Sequence, residues 1–221
     1  MNYLIYPQKN MWITQDYNGA TSHSKHSKGN PASYPIDDQG EKNTTRDWFY
    51  CPCDEMEIKR IYGVGTSGTN TIWLQSTSKV VTPTFTDYVV IKVTHPNDDD
   101  LSKLKVGQKF KRYEPIFREG NDNIGTPHNH MSIARGTFAS LKNSGWVKNS
   151  LGAWVLSGNN KKPEECFYID PNFTKVIKDR GLKFVTLPKI ECSKCKEKDN
   201  QIKELQDELN KFTPMTYYIK K

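Results

Sequence analysis

Short runs in which apolar and polar positions alternate dominate the first two thirds of the chain. From Tyr50 to Gln75 the runs CDEMEIKRIYGVG and TIWLQS are separated by Gly- and Ser-rich turns, the pattern of antiparallel strands and hairpins. DYVVIKVTH is β-branched and ends at a histidine, and LKVGQKFKRYEPIFREG is broken by Val-Gly and Glu-Pro, which demands tight turns. The chain then reaches IGTPHNHMSIARG, where Met131, Ile133 and the histidines fall in a period of two, so His128 and His130 are predicted on or beside a strand. After about Gly158 the polar stretch GNNKKPEE predicts a boundary, and residues 159–190 read as a connecting segment with short elements. Ile202, Leu205, Leu209 and Phe212 then form one apolar stripe on a charged segment, predicting an amphipathic helix over 191–213 and a tail over 214–221. Residues 1–158 carry the expected main domain.

Composition agrees with a mainly β protein: 221 residues, 35% of them hydrophobic, with 14 Gly and 12 Pro, suit one loop-rich domain with an appendage better than a helical bundle. A formal net charge of +7 favours polyanions such as nucleic acid, acidic lipid or wall teichoic acids. The tryptophans Trp12, Trp48, Trp73, Trp146 and Trp154 are scattered rather than interleaved with a basic stripe, so no specific nucleic-acid binding is expected and anionic wall polymers fit better. No stretch approaches the roughly 20 apolar residues of a membrane span, and MNYLIYPQKNMW lacks the features of a signal peptide. Synthesis in the cytoplasm without membrane insertion is the expectation. Five cysteines fit reduced surroundings: Cys51 and Cys53 read as small buried strand residues, and Cys192 and Cys195 lack the second pair that a zinc knuckle needs. The stripe of Ile202, Leu205 and Leu209 permits a helix-paired homodimer.

The five histidines fall in three places: His23 and His26 in TSHSKHSKG, His95 in KVTHP, and His128 with His130 in TPHNH. Residues two apart on a strand share a face, so His128 and His130 can project into one groove, one as a metal ligand and the other toward a substrate. Asp37, in SYPIDDQ, is a candidate carboxylate ligand. A catalytic zinc takes three protein ligands and keeps a fourth position for water. On spacing alone, surface or core histidines explain the pattern as well as a metal site does.

The order and context of these motifs, from roughly Gln15 to Gly136, resemble the lysostaphin-type (LytM-like) zinc endopeptidases. QDYNGATSH with YPID is similar to the family's His and following Asp, VVIKVTH to its strand ending in a catalytic His, and GTPHNHMSI to its terminal His-x-His. CPCDEMEIKRIYGVG and LKVGQKFKRYEPIFREGND resemble two further family hairpins. The resemblance implies an antiparallel β-sheet groove domain with a short C-terminal helix, holding one zinc per chain. It implies Asp37 and His130 as zinc ligands, His23 as the third ligand with His26 as the alternative, and His128 and His95 as catalytic residues. Alignment from YNG-x-x-SH favours His23, whereas counting back from Asp37 favours His26; the loop between them and Asp37 would form one wall of the groove.

That family cuts peptide bonds of bacterial peptidoglycan by attack of a metal-activated water on an amide carbonyl, and a small basic member without signal peptide looks like a phage lysin. It would reach the wall after holin-dependent release, as an endolysin, or as a component of a virion. The alternative is a non-catalytic wall-binding or virion scaffolding module on the same fold, against which the retained histidines and Asp37 speak. A biotinyl- or lipoyl-carrier reading of VGQKFKRYEPI finds no attachment motif.

Overall fold

The computed structural model describes residues 1–40, 46–65, 69–120, 125–188 and 201–208. The chain divides into two units, Met1–Leu187 and Pro188–Lys221. In the second, residues 201–208 are helical, and the remainder of the predicted 191–213 helix and the tail, with Leu209, Phe212, Cys192 and Cys195, lies outside the described residues.

The first unit is mainly β. Its strands are β1 (Asn10–Gln15), β2 (Ile36–Gln39), β3 (Trp48–Tyr50), β4 (Glu55–Tyr62), β5 (Thr71–Ser76), β6 (Val80–Val81), β7 (Thr86–Asp87), β8 (Val89–Thr94) and β9 (Lys109–Lys111). There follow β10 (Pro115–Arg118), β11 (Asn129–Arg135), β12 (Trp146–Lys148), β13 (Trp154–Leu156), β14 (Asn159–Lys161), β15 (Tyr168–Ile169), β16 (Lys175–Lys178) and β17 (Val185–Thr186). A nine-stranded sheet runs β16-β1-β2-β11-β8-β5-β4-β9, with β14 also paired to β11. All its pairings are antiparallel except β1 with β16.

Alternation along each strand sorts the two faces of this sheet. Toward the main core, Ile36, Met131, Val93, Ile72 and Ile61 align across β2, β11, β8, β5 and β4, and Ile133, Ile91, Leu74 and Ile58 form the next row. Most of these are fully buried, packed with Leu4, Tyr6, Phe49, Phe117 and Phe167. Each such side chain contributes about 1.5–3 kcal/mol by leaving water. A smaller cluster of Trp73, Val90, Ala134, Leu141 and Leu156 covers part of the opposite face.

Residues 159–187, expected as a connecting segment, are built into this unit. Strand β14 extends the sheet beyond β11, β16 pairs with β1, and Cys166, Phe167 and Ile169 are buried in the core. Their apolar runs, of four residues or fewer, are too short to carry a period; pairing of β14 with β11 and of β16 with β1 supplies the order. Cys51 and Cys53 are buried free thiols. Among the described residues no helix is long and apolar enough to cross a membrane.

Candidate metal centre

The open face of the sheet carries the histidines. One row crosses five strand pairings in register: Gln15 opposite Asp37, Asp37 opposite His130, His130 opposite Thr94, Thr94 opposite Thr71, and Thr71 opposite Tyr62. The next row holds Ser132, Lys92, Trp73 and Arg60. Asp37 and His130 therefore meet because β2 and β11 are neighbours with a fixed register, and a slip of one residue would turn both to the core.

His23 reaches them from the loop between β1 and β2. It starts a turn that continues into the short helix α1 (Ser24–Ser27), with the His26 and Ser27 amides both donating to the His23 carbonyl. Asn149 pins this turn from outside, its amide nitrogen donating to the carbonyls of Lys25 at 2.6 Å and Lys28 at 3.0 Å. The turn leaves His23 fully buried.

Three ligand atoms converge here. His23 Nε2 lies 3.0 Å from Asp37 Oδ1 and 3.2 Å from His130 Nδ1, and His130 Nδ1 lies 3.0 Å from Asp37 Oδ1. His23, Asp37 and His130 are the group among the described residues that could hold a metal ion. A tetrahedral zinc with bonds of ~2.0–2.1 Å sets its ligand atoms about 3.3 Å apart, close to these edges.

Hydrogen bonding behind the ligands tests the fit. The Asp16 carbonyl, which can only accept, lies 2.9 Å from His23 Nδ1, so that nitrogen carries the hydrogen and a neutral His23 presents a lone pair at Nε2. Burial pushes the His130 imidazole well below its usual range and so keeps it neutral. Burial alone would raise the Asp37 carboxyl, but hydrogen bonds with His130 and then His23 outweigh it and hold the group far below the usual carboxylate range, hence charged. The set thus aims an anion and two imidazole nitrogens at one point, an arrangement that suits a cation. Gln15 fixes the other carboxylate oxygen, its Nε2 donating to Asp37 Oδ2 and to Ser22 Oγ, both at 2.9 Å. Such outer contacts orient ligands.

Two further imidazoles stand beside the triad. His128 gives its Nδ1 hydrogen to the Thr126 carbonyl at 2.9 Å, leaving Nε2 turned inward, 3.9 Å from Asp37 Oδ1. The His95 ring centre is 5.0 Å from that of His128 and 6.1 Å from that of His130. His95 takes a left-handed backbone at φ 71°, and its carbonyl accepts from the Gly120 amide at 2.7 Å. A Cβ on Gly120 would come within 2.7 Å of that oxygen, so only glycine allows this approach. His26 stays outside the triad, with ring centres 6.2 Å from His23 and 5.3 Å from His130. Burial, then the charge of Lys92, pushes its pKa down to about 4.

A cleft of 480 Å³ reaches His26, His95 and His130, lined also by Ser22, Lys92 and Thr94 and, on one side, by Trp146 and Trp154. Sequence reasoning passed over Lys92, which sits one row from His130 and whose burial lowers its pKa to about 8. Its position was legible in the alternation Val90, Lys92, Thr94. It also passed over Gln15, Asn149 and the buried carboxyls Asp38 and Glu119 beneath the site. Burial raises Asp38 to about 8; burial and then the Asp38 charge raise Glu119 to about 9. Nothing local in the sequence marks those two as buried.

In comparisons with known proteins, no family model matches the chain and no curated protein matches it.

Proposed function

We propose that the chain is a zinc-dependent endopeptidase that hydrolyses peptide bonds of bacterial peptidoglycan, built on a sheet groove of the lysostaphin type and acting as a phage lysin. The observation that carries this reading is the convergence of His23 Nε2, Asp37 Oδ1 and His130 Nδ1 at 3.0–3.2 Å, with His128 Nε2 3.9 Å from Asp37 Oδ1 and the His95 ring centre 5.0 Å from that of His128. Three protein ligands, of which His130 lines an open cleft, suit a catalytic centre, which keeps a fourth position free, rather than a closed structural one.

Zinc held by His23, Asp37 and His130 would supply Lewis acidity and make a water nucleophile available near neutral pH. The chain's own residues do the rest. His128, with its Nδ1 hydrogen committed to Thr126, offers Nε2 to take a proton from the attacking water and to return it to the departing amine as the C–N bond breaks. His95, next to it, faces the carbonyl oxygen on which charge grows. Lys92 adds positive charge to the floor of the cleft without competing for the ion.

Substrate and place rest on the resemblance of the motif order together with the net charge of +7, which suits an anionic wall. The test is clearing of a purified Gram-positive wall suspension by the full chain, with chelator and after zinc is restored. One zinc per chain and clearing that chelation stops and zinc restores are expected. A zinc-free protein that binds walls without clearing them would instead favour a wall-binding or scaffolding module.

A further inference from the structure

A second cleft, of 560 Å³, lies beside the first and shares Thr69, Trp146 and Trp154 with it; Arg60, Tyr62 and Asn143 complete its lining. Four aromatic residues far apart in sequence assemble there. The ring centre of Trp146 is 5.3 Å from that of Tyr62, 5.6 Å from Trp73 and 5.8 Å from Trp154. Trp73 is fully buried at the back, whereas Tyr62 and Trp154 stand 45% and 51% exposed. Gly145 makes the wall fit: its φ is 90°, and a Cβ there would come within 2.7 Å of Trp73 Nε1.

The charged groups described around the shelf are all cationic. Arg60 lies over the Tyr62 and Trp73 rings at 5.6 and 4.8 Å, Lys92 over Trp146 at 5.4 Å and Lys148 over Trp154 at 5.4 Å. Among the described residues no carboxylate lines either cleft. Half-exposed rings beside planar Arg and Asn groups are what a pyranose needs: the C–H face of the sugar lies on the ring, and its hydroxyl and acetamido groups bond to the planar side chains. Stacked bases would need rings in a parallel stair, whereas these cross at 80°, 71° and 55°.

We infer that this aromatic shelf is a sugar subsite that holds an N-acetylhexosamine unit of the glycan strand while the attached peptide reaches the metal centre. The inference deepens the peptidase reading and rests on it for the identity of the polymer. Register supports the geometry: Tyr62 stands in the same row as His130, three strand spacings away, or about 14 Å. An extended peptide of roughly four residues covers that distance. A stem peptide of that length joins a glycan sugar to the cross-linking region.

The test uses a probe with no peptide bond to cut, the N-acetylglucosamine tetramer, titrated into the full chain with tryptophan fluorescence as the readout. Saturable binding is expected, with Trp154→Ala and, separately, Tyr62→Ala each weakening it roughly tenfold. Trp48→Ala, outside the cleft, serves as the control and keeps wild-type affinity. Absence of saturable binding, unchanged affinity in both cleft variants, or tighter binding of a single-stranded oligonucleotide at the same residues overturns the inference. Chelator-sensitive clearing without tetramer binding would remove the sugar subsite and leave the peptidase; tetramer binding by a chain that neither holds zinc nor clears walls would do the reverse.

Discussion

Asp37→Ala removes the anion that His23 and His130 converge on, and its effect separates into two measurable parts. Without metal, Asp37 Oδ1 lies 3.0 Å from both His23 Nε2 and His130 Nδ1 and Oδ2 accepts from Gln15, so the truncation leaves His23 Nε2 and His130 Nδ1 facing each other at 3.2 Å in a nearly dry site. Leaving such groups unpaired costs about 1–3 kcal/mol. With metal, a ligand at 1,000 times its Kd stabilises the fold by about 4.1 kcal/mol. For the unit Met1–Leu187, an unfolding entropy of ~2.1 cal/mol/K per residue makes each kcal/mol worth about 2.5 °C. Saturating zinc should therefore raise the Tm of the wild-type chain by roughly 10 °C over the chelated protein. Asp37→Ala should lower the Tm in chelator by roughly 3–8 °C and abolish most of the zinc-dependent rise. Differential scanning calorimetry of both proteins, in chelator and in excess zinc, reads both numbers. His26→Ala should keep the rise, because the His26 ring lies outside the triad. A full zinc-dependent rise in Asp37→Ala, or its loss in His26→Ala but not in His23→Ala, would refute the ligand set.

Other perturbations reach different parts of the account. His128→Ala should still bind one zinc, since His128 Nε2 stands off Asp37 by 3.9 Å, yet lose 10²–10⁴-fold in cleavage rate, roughly the contribution of a general acid–base group; rates on walls with metal content read in parallel check this. Asn149→Ala cuts two hydrogen bonds that pin the His23 turn and two that its Oδ1 accepts from Leu151 and Ala153, so zinc affinity should fall about 10–100-fold in a competition titration. Glu119 is protonated in the fold up to about pH 9 but ionises near 4.5 when unfolded, so its burial costs stability that grows as pH rises through that window. Glu119→Gln should accordingly stabilise the chain by up to ~3 kcal/mol at pH 7 and change little at pH 4, as denaturant melts at the two values would reveal.

The sheet was legible where apolar alternation is long and unbroken. Val89–Thr94 and Asn129–Arg135 are central strands whose odd and even positions face chemically different surroundings, so Val93 and Ile91 point to the core and Lys92 and Thr94 away from it. Sharing of one face by His130 and Asp37 follows from that alternation once β2 is placed beside β11, a pairing across ninety residues that no local pattern records. The sequence left His23 and His26 as rival ligands because the loop before Asp37 is long; in the fold His23 Nε2 lies 3.0 Å from Asp37 Oδ1 and 3.2 Å from His130 Nδ1, whereas the His26 ring centre stands 5.3 Å from that of His130. The aromatic shelf was illegible for a similar reason. Tyr62, Trp73, Trp146 and Trp154 look scattered until β4, β5, β12 and β13 bring them onto one wall.

Zinc K-edge absorption of the stoichiometrically loaded chain tests the metal centre most directly. The account predicts one zinc per chain in a shell of nitrogen and oxygen only, with the multiple scattering of two imidazoles, and loss of that signature in Asp37→Ala. Sulfur in the first shell would place the ion on cysteines instead, and together with an unaltered spectrum in Asp37→Ala would contradict the assignment of His23, Asp37 and His130.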